Sequence, residues 1–159
     1  MTTKTAVLSA AAKLVEKDGP ASLSIREAAR RAGVSHNAPY RHFADRDSLL
    51  AALAEQGFEE LEKALEGLNG RSLGEAYVRF ALSHPQRFRL MFARRPASVL
   101  HQRFAEAFGE LGENAQAASA AAWALVHGLA QLLIDGHLQH DEQFVGRVLG
   151  AMRFAQRSA

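Results

Sequence analysis

The chain has 159 residues, 48% of them hydrophobic, and it contains no cysteine. This composition is rich enough in apolar side chains for a folded core, and the lack of cysteine excludes disulfide scaffolds and thiolate metal or redox sites. The 19 basic and 17 acidic side chains nearly balance, so only the distribution of charge along the chain is informative.

The first predicted element is a helix over residues 3–17. Its apolar side chains recur at helical spacing and would face a core; they are Val7, Ala11, Leu14 and Val15. The glycine and proline at 19–20 supply the signal that ends this helix. Charged residues interrupt the segment every few positions, so it lacks the apolar stretch of a secretory signal peptide.

A second, short helix is predicted from the sequence "SIRE" at 24–27. These residues have the pattern of a capping box, in which the Ser24 hydroxyl accepts from the Glu27 amide and the Glu27 carboxylate accepts from the Ser24 amide. The helix would run to Arg31. The following "AGVS" (32–35) predicts a tight turn, because its glycine can adopt a positive φ.

A third helix is expected to be capped by Ser35 and to end at Phe43. Pro39 lies inside it, where proline is usually unfavourable. With Ser35 as the N-cap, Pro39 is the fourth helical residue, and its missing N–H removes only the first intrahelical hydrogen bond, to the Ser35 carbonyl. The sequence therefore predicts a helix over 36–43 that tolerates the proline near its beginning.

Two short helices joined by a turn with glycine form a helix-turn-helix pattern, whose second helix enters the major groove of DNA. At about 100° per residue, Pro39 and Phe43 share the inward side, and Asn37 and Arg41 point away from it. Asn and Arg can read base edges through paired hydrogen bonds. The candidate phosphate contacts are the flanking side chains and the ends of neighbouring helices, namely Ser24, Arg26, Tyr40, His42 and Arg46.

The segment from 24 to 46 is locally basic, with five arginines against two acidic residues, and this suits the phosphate backbone of DNA. Arg30 and Arg31 also fit an ordinary solvated helix face, which is the commoner reason for a basic pair. Asn37, Tyr40 and Arg41 lie together on the outer side of one short element, and this grouping favours contact with DNA.

Residues 7–53 resemble the N-terminal DNA-binding domain of the TetR family of transcriptional regulators. The matching pieces are "VLSAAAKLVEKDG", "LSIREAARRAGVS", "YRHF" and "DRDSLLAAL", in this order and spacing. The resemblance implies an all-helical homodimer that binds a palindromic operator, usually as a repressor, and a C-terminal lobe that binds a small effector. By motif, the DNA contacts of the family carry over to Ser24, Arg26, His36, Asn37, Tyr40, His42 and Arg46, and Ser35 and Arg41 complete our candidate set.

The chain departs from the family pattern at two positions. Pro39 stands where leucine or a similar residue is usual, and Arg46 stands where lysine is frequent. Neither change removes a candidate contact residue.

Helical periodicity continues through the rest of the chain. Asp45 is expected to cap a fourth helix over about 46–67, and further helices are predicted near 72–83, 86–94, 97–111, 115–135 and 141–156. We therefore predict an all-α fold. It would consist of an N-terminal three-helix helix-turn-helix DNA-binding domain (1–46) and a C-terminal helical domain for ligand binding and dimerisation (47–159).

Small residues recur along the 115–135 helix and form one smooth stripe, which would let another helix approach closely. The stripe and one side of the last helix predict a four-helix dimer interface, although an intramolecular core would show the same pattern. The interface residues would be Ala117, Ala121, Ala124, Gly128, Phe144, Val148 and Met152. The stretch "WALVHG" (123–128) also resembles the Trp…His-Gly signature of one C-terminal subgroup of the TetR family.

Aromatic and methionine side chains in the C-terminal part predict an apolar effector pocket, although plain core has the same spacing. The candidates are Phe80, Phe88, Met91, Phe92, Phe104, Phe108, Trp123 and His127. Six arginines and no acidic residue occur between 76 and 105. They indicate either an anionic effector or, more simply, a solvated basic face.

Other functional classes find little support. His137 and His140 beside Asp141 and Glu142 could hold zinc, but a polar loop explains them better, and no metal or cofactor is expected. The apolar stretch at 121–134 is shorter than the roughly 20 residues of a spanning helix, so we expect a soluble, cytoplasmic protein. Enzyme motifs such as a phosphate loop are absent. The alternative function is a helical ligand-binding or adaptor protein with weak or lost DNA binding.

Overall fold

The computed structural model describes residues 2–94, 100, 102, 104–105, 115–139, 141 and 143–151. Within these residues the chain forms α-helices and two short 3-10 helices and no strand, which confirms the predicted all-α fold. The α-helices are α1 (Thr3–Asp18), α2 (Ile25–Arg31), α3 (Arg46–Leu65), α4 (Gly70–Ser83), α5 (Pro85–Arg94), α6 (Ala115–Ile134) and α7 (Phe144–Ala151). The predicted helix over 97–111 falls mostly outside the described residues.

The contacts divide the chain into two compact units. The first unit comprises residues 1–60 and 84–96, and the second unit comprises residues 61–83 and 97–159. The first unit therefore contains most of α3 and the whole of α5, although α5 is distant from α1 and α2 in sequence. The division after residue 46, which was inferred from the motif, stays a prediction about function.

The first unit is built around apolar side chains of α1, α2 and α3, and Leu90 of α5 belongs to the same core. The helix α5 is also held by polar contacts. The Glu16 carboxylate of α1 accepts hydrogen bonds from the backbone amides of Gln86 and Arg87, at 3.0 and 3.4 Å. These amides begin a helix and have no acceptor within it, so a carboxylate there is favourable. The buried Arg87 side chain also pairs with Glu60 of α3 at 2.8 Å.

The predicted helix caps at Asp45 and Ser24 have different outcomes. Asp45 caps α3 as expected, because the Ser48 amide donates to its carboxylate at 2.7 Å, and the Ser48 hydroxyl accepts from the Asp45 amide at 3.2 Å. The predicted capping box at Ser24 is wrong: its side chain makes no cap hydrogen bond to α2. The Glu27 carboxylate accepts hydrogen bonds from the side chains of Arg30 and Arg31 instead.

In the second unit, α4 packs against α6 and α7. Gly74 permits close approach, because a Cβ there would lie 2.9 Å from Cδ1 of Leu149. Tyr77 is fully buried, and its hydroxyl lies 2.9 Å from Nδ1 of His127 and accepts from the Trp123 indole at 3.3 Å. Because the indole can only donate, the tyrosine proton is available to Nδ1 of His127. Burial raises the pKa of Tyr77 and lowers the pKa of His127, so the neutral forms of both are favoured.

Candidate nucleic-acid interface

The predicted α-helix over 36–43 and its cap at Ser35 are wrong. The chain makes a turn after Ser35, and Pro39–Arg41 then form a 3-10 helix whose N-cap position is Ala38. We call residues 35–43 the recognition turn. The element that sequence analysis placed in the major groove is therefore present, but it is tighter and shorter than an α-helix.

Proline explains this difference. In an α-helix the Ser35 carbonyl would accept from the amide of residue 39, which proline lacks. In the structure that carbonyl accepts from the Ala38 amide at 3.0 Å. Two further i→i+3 bonds follow, in which the amides of Arg41 and His42 donate to the carbonyls of Ala38 and Pro39 at 3.3 and 2.9 Å. The Pro39 carbonyl also accepts from the Phe43 amide at 2.9 Å, an i→i+4 bond that ends the turn. One missing N–H thus replaces the first α-helical turn by 3-10 geometry.

The recognition turn separates its apolar and polar side chains as predicted. Pro39 and Phe43 are buried, and Phe43 belongs to the core of the first unit. The polar side chains lie exposed on the other side: Ser35, His36, Asn37, Tyr40, Arg41 and His42. Tyr40 is 44% exposed although its ring is large and apolar. An exposed aromatic ring among hydrogen-bonding side chains is suited to contact with a partner.

Three of these exposed side chains are already arranged with respect to one another. Nδ1 of His36 lies 3.3 Å from Oδ1 of Asn37. The rings of His36 and Tyr40 have centroids 6.1 Å apart at an angle of 35°. His36 therefore lies beside both Asn37 and Tyr40 on the exposed side of the recognition turn.

The helix α2 contributes the other exposed candidates, Ser24 and Arg26. Arg30 and Arg31 form ion pairs with Glu27 at 2.7 and 2.9 Å. The hydrogen bond from Arg30, followed by that from Arg31, lowers the pKa of Glu27 to about 2. The Glu27 carboxylate therefore balances one of their two positive charges within the helix, which suits the solvated-face interpretation of this pair.

Arg46 is placed differently from the other candidates. It is the first residue of α3, and its guanidinium donates to backbone carbonyls of the segment before α2. Nε lies 2.8 Å from the Leu23 oxygen, and Nη2 lies 2.6 and 3.1 Å from the oxygens of Pro20 and Ala21. We define the recognition face as the exposed candidates other than Arg46, namely Ser24, Arg26, Ser35, His36, Asn37, Tyr40, Arg41 and His42.

Comparison with known proteins places these features in a family. Residues 7–53 match the family model for bacterial regulatory proteins of the tetR family. Residues 71–152, more than half of the chain, match the model for the tetracyclin repressor-like C-terminal domain. The chain belongs to the TetR family. Proteins of this family are DNA-binding transcriptional regulators and not enzymes.

Individual relatives of this TetR-family regulator agree with the match. A protein of unknown function from Rhodococcus sp. RHA1 is 33% identical, with a TM-score of 0.79 over 95% of this chain and 91% of that one. A TetR family transcription regulator from Marinobacter aquaeolei VT8 shares the fold, with 17% identity, a TM-score of 0.64 and coverage of 93% of this chain and 92% of that one.

A curated relative, an HTH-type transcriptional repressor of Mycobacterium tuberculosis, is 38% identical over 60 residues. That stretch covers 38% of this chain and 32% of the repressor. The similarity is therefore limited to about a third of the relative's length.

The side chains expected to line one effector pocket are divided between the two units of the TetR-family protein. Phe88, Met91 and Phe92 lie in the first unit, where Phe92 packs against Phe58 with ring centroids 5.3 Å apart. The candidates in the second unit are Phe80, Phe104, Trp123 and His127, and Phe108 lies outside the described residues. A cavity of about 500 Å³ in the second unit is lined by other residues: Gln102, Ala105, Ala115, Gln116, Ser119 and Ala120.

The arginines of the TetR-family C-terminal region are partly neutralised. Arg87 pairs with Glu60, and Arg94 pairs with Asp47 at 2.5 Å. Arg95 and Arg103 lie outside the described residues. At least two of the six positive charges are thus matched by acidic residues of α3, and these two do not favour an anionic effector.

The predicted dimer stripe on α6 is exposed at Ala117, Ala121 and Ala124 and partly buried at Gly128. At about 100° per residue, it lies opposite the buried face, which consists of Ser119, Ala122, Val126, Leu129, Ala130 and Leu133. Leu132 adds to the exposed side with 44% of its surface accessible. In α7, Phe144 and Val148 are partly buried, and Met152 lies outside the described residues.

Helix α6 is the one helix among the described residues that is long and apolar enough to cross a membrane, with a mean hydropathy of 1.5 and a third of the window buried. The core helix of a soluble protein can have the same length and composition, so this one helix is weak evidence for a membrane span. Among the described residues no group of metal-ligating side chains occurs. His137 is exposed in the loop after α6, and His140 lies outside the described part of the chain.

Sequence reasoning missed the polar groups that join distant segments. No role was assigned to Glu16, Glu60 or Tyr77 from the sequence alone. The only local signal was the proline at the start of α5, which leaves the following amides in need of an acceptor. Their partners lie 27 to 71 positions away in the sequence, as the bonds of Glu60, Tyr77 and Glu16 show.

Proposed function

We propose that this protein binds operator DNA through the recognition face. The observation that carries the proposal is the exposed polar set above buried Pro39 and Phe43, within the segment that matches the DNA-binding domain of the family. Asn37 and Arg41 would read base edges. The phosphate contacts would come from Ser24, Arg26, His36, Tyr40 and His42.

The short recognition turn limits how much sequence each subunit can read. A 3-10 helix of three residues presents one turn of side chains, whereas a longer helix would follow the groove over several base pairs. We therefore propose that each subunit reads only a few base pairs directly. The remaining affinity would come from phosphate contacts, and it would decrease steeply with salt.

Selection of bound fragments from a random DNA pool tests this function, and a palindrome is the expected result. Replacing Tyr40 and Arg41 together by alanine should abolish operator binding. Arg79→Ala serves as the control, because Arg79 is an exposed arginine in the second unit. If the Tyr40 and Arg41 double variant retains full operator affinity, the recognition face is assigned wrongly.

We also propose that the protein acts as a homodimer through the exposed stripe of α6. A 20-residue apolar helix with one buried face and an opposite face of alanine, glycine and leucine supports this proposal, since such a face can pack closely against its symmetry copy. Two recognition turns would then meet successive major grooves about one DNA turn apart.

Sedimentation equilibrium tests the dimer. Ala124→Glu should produce monomers, because two carboxylates would be buried at the two-fold interface without partners. Ser83→Glu is the control, since Ser83 is exposed on α4. A dimer of unchanged stability in Ala124→Glu would exclude this face.

We propose that the protein represses transcription in the cytoplasm and that a small effector releases it from the operator. The cavity beside Ser119 supports a small effector, because its volume of about 500 Å³ lies within the range of ligand pockets. A thermal-shift screen of neutral small molecules against the wild type and Ala120→Trp tests the site. A true effector should stabilise only the wild type and should release operator DNA.

A further inference from the structure

The guanidinium of Arg46 connects two parts of the chain that both approach the recognition face. It lies at the start of α3, directly after the recognition turn, and it donates to three carbonyls of the segment that leads into α2. The bonds span 23 to 26 positions of sequence. This is a long-range cross-link made of charge-assisted hydrogen bonds, which are the stronger kind.

The accepting segment is a single short turn whose own backbone hydrogen bonds are long, at 3.3 Å. After Gly19 the chain forms a single 3-10 turn, Pro20–Ser22, that carries no side-chain cap. The Pro20 carbonyl already accepts from the Leu23 amide at 3.3 Å, a long bond. Arg46 adds a 2.6 Å bond to the same carbonyl and supplies a donor to the carbonyl of Leu23, a residue whose side chain is buried.

Acidic neighbours do not account for the position of Arg46. Asp47 pairs with Arg94, whose hydrogen bond is the main cause of the lowered pKa of Asp47. The Asp45 carboxylate accepts from the Ser48 amide as the cap of α3. The backbone carbonyls are therefore the groups that orient the guanidinium, and they do so at short distances.

We propose that Arg46 is a positioning residue and not a phosphate contact. By holding the segment 20–23 against the start of α3, it sets the position of Ser24 and Arg26 relative to the recognition turn. Arginine suits this role because its donors are fixed in a planar fork, whereas lysine has one compact ammonium. The inference rests on the proposed recognition face, since it assigns Arg46 to the support of that face.

The first test uses the full-length protein without DNA. Arg46→Lys keeps the charge but removes the planar fork. Amide hydrogen exchange in residues 21–26 should become about tenfold faster or more, because the lost charge-assisted bonds stabilise the closed segment. Arg30→Lys is the matched control, since Arg30 is an exposed arginine that bonds to Glu27 within its own helix. Unchanged exchange in Arg46→Lys would overturn the proposal.

The second test measures operator binding. A phosphate contact tolerates lysine, so Arg46→Lys would keep wild-type affinity if the side chain met DNA. A positioning role predicts about tenfold weaker binding by Arg46→Lys. It also predicts that the effects of Arg46→Lys and Arg26→Gln are not additive, because both act through Arg26. Wild-type affinity of Arg46→Lys, or strict additivity, would contradict the proposal.

The two tests separate this inference from the proposed function. If the protein bound no operator at all, the recognition face would be wrong, whereas the exchange measurement would still decide whether Arg46 holds the segment. If the Tyr40 and Arg41 double variant loses binding and Arg46→Lys is indistinguishable from the wild type, the face stands and the positioning role fails.

Discussion

Replacing Tyr77 by phenylalanine removes one oxygen atom from the second unit and leaves the buried ring in place. The hydroxyl accepts from the Trp123 indole and lies within hydrogen-bond distance of Nδ1 of His127. Loss of a partner costs about 1–3 kcal/mol for a fully buried polar group. Trp123 and His127 are only partly buried, so water can replace part of the loss, and we expect a total cost of about 1–2 kcal/mol.

Thermal unfolding at a fixed protein concentration measures this cost. For a chain of this size, 1 kcal/mol corresponds to about 2–4 °C in Tm, so Tyr77→Phe should lower Tm by about 2–8 °C. The chain has one other tyrosine, and the same substitution there is the control. Tyr40→Phe should leave Tm unchanged, since Tyr40 is exposed. Equal Tm values for Tyr77→Phe and the wild type would refute the role assigned to the hydroxyl.

Three further predictions concern pH, ion pairs and packing. Burial lowers the pKa of His127 below its ordinary value of 6.5, so the unfolded chain binds a proton more readily than the folded chain. The free energy of unfolding of the wild type, relative to that of His127→Gln, should therefore fall as the pH decreases below about 6.5. If urea unfolding gives the same difference between the two proteins at every pH, this prediction is wrong. Arg87→Ala should lower Tm, because it removes a buried guanidinium from its ion pair with Glu60. Arg94→Ala removes an exposed ion pair and should change Tm little. Equal losses of Tm in the two variants would argue against an effect of burial. Gly57→Ala should lower the stability of the protein, because the new Cβ would lie 2.6 Å from Sδ of Met91. Overpacking costs about 1–3 kcal/mol, whereas the higher helix propensity of alanine contributes only about 1 kcal/mol. In the Met91→Ala background the space is free, and Gly57→Ala should raise the stability instead.

Local periodicity was sufficient to predict α1 to α7 and the inward side of the recognition turn, but it predicted an α-helix over 36–43 where the structure has a 3-10 turn. Pro39 and Phe43 are buried as predicted, because the Phe43 amide donates to the Pro39 carbonyl at 2.9 Å, which is the i→i+4 bond of an α-helical turn. The choice between the two geometries depends on where the Ser35 carbonyl finds a donor. Ala38 supplies that donor, and the sequence alone did not distinguish this solution from a distorted α-helix.

Competition between side chains for the same hydrogen-bond partner explains most of the remaining differences between the predicted and the observed structure. Ser24 and Glu27 have the sequence of a capping box, but two arginines one turn later bind the carboxylate more strongly. Asp45 has no such competitor and caps α3. The role of Arg46 could not be read from its neighbours, because its acceptors are backbone carbonyls that every residue possesses and that lie more than 20 positions away.

The membership of α5 in the first unit has a consequence during synthesis. The core of that unit is formed by side chains up to Ala54, but Leu90 completes it. Bacterial ribosomes add about 5–20 residues per second, so the 36 positions between Ala54 and Leu90 correspond to a delay of roughly 2–7 s. During this interval the nascent chain exposes the apolar surface that Leu90 later covers. A chaperone that binds apolar segments would meet the protein at this stage, before the DNA-binding unit can close.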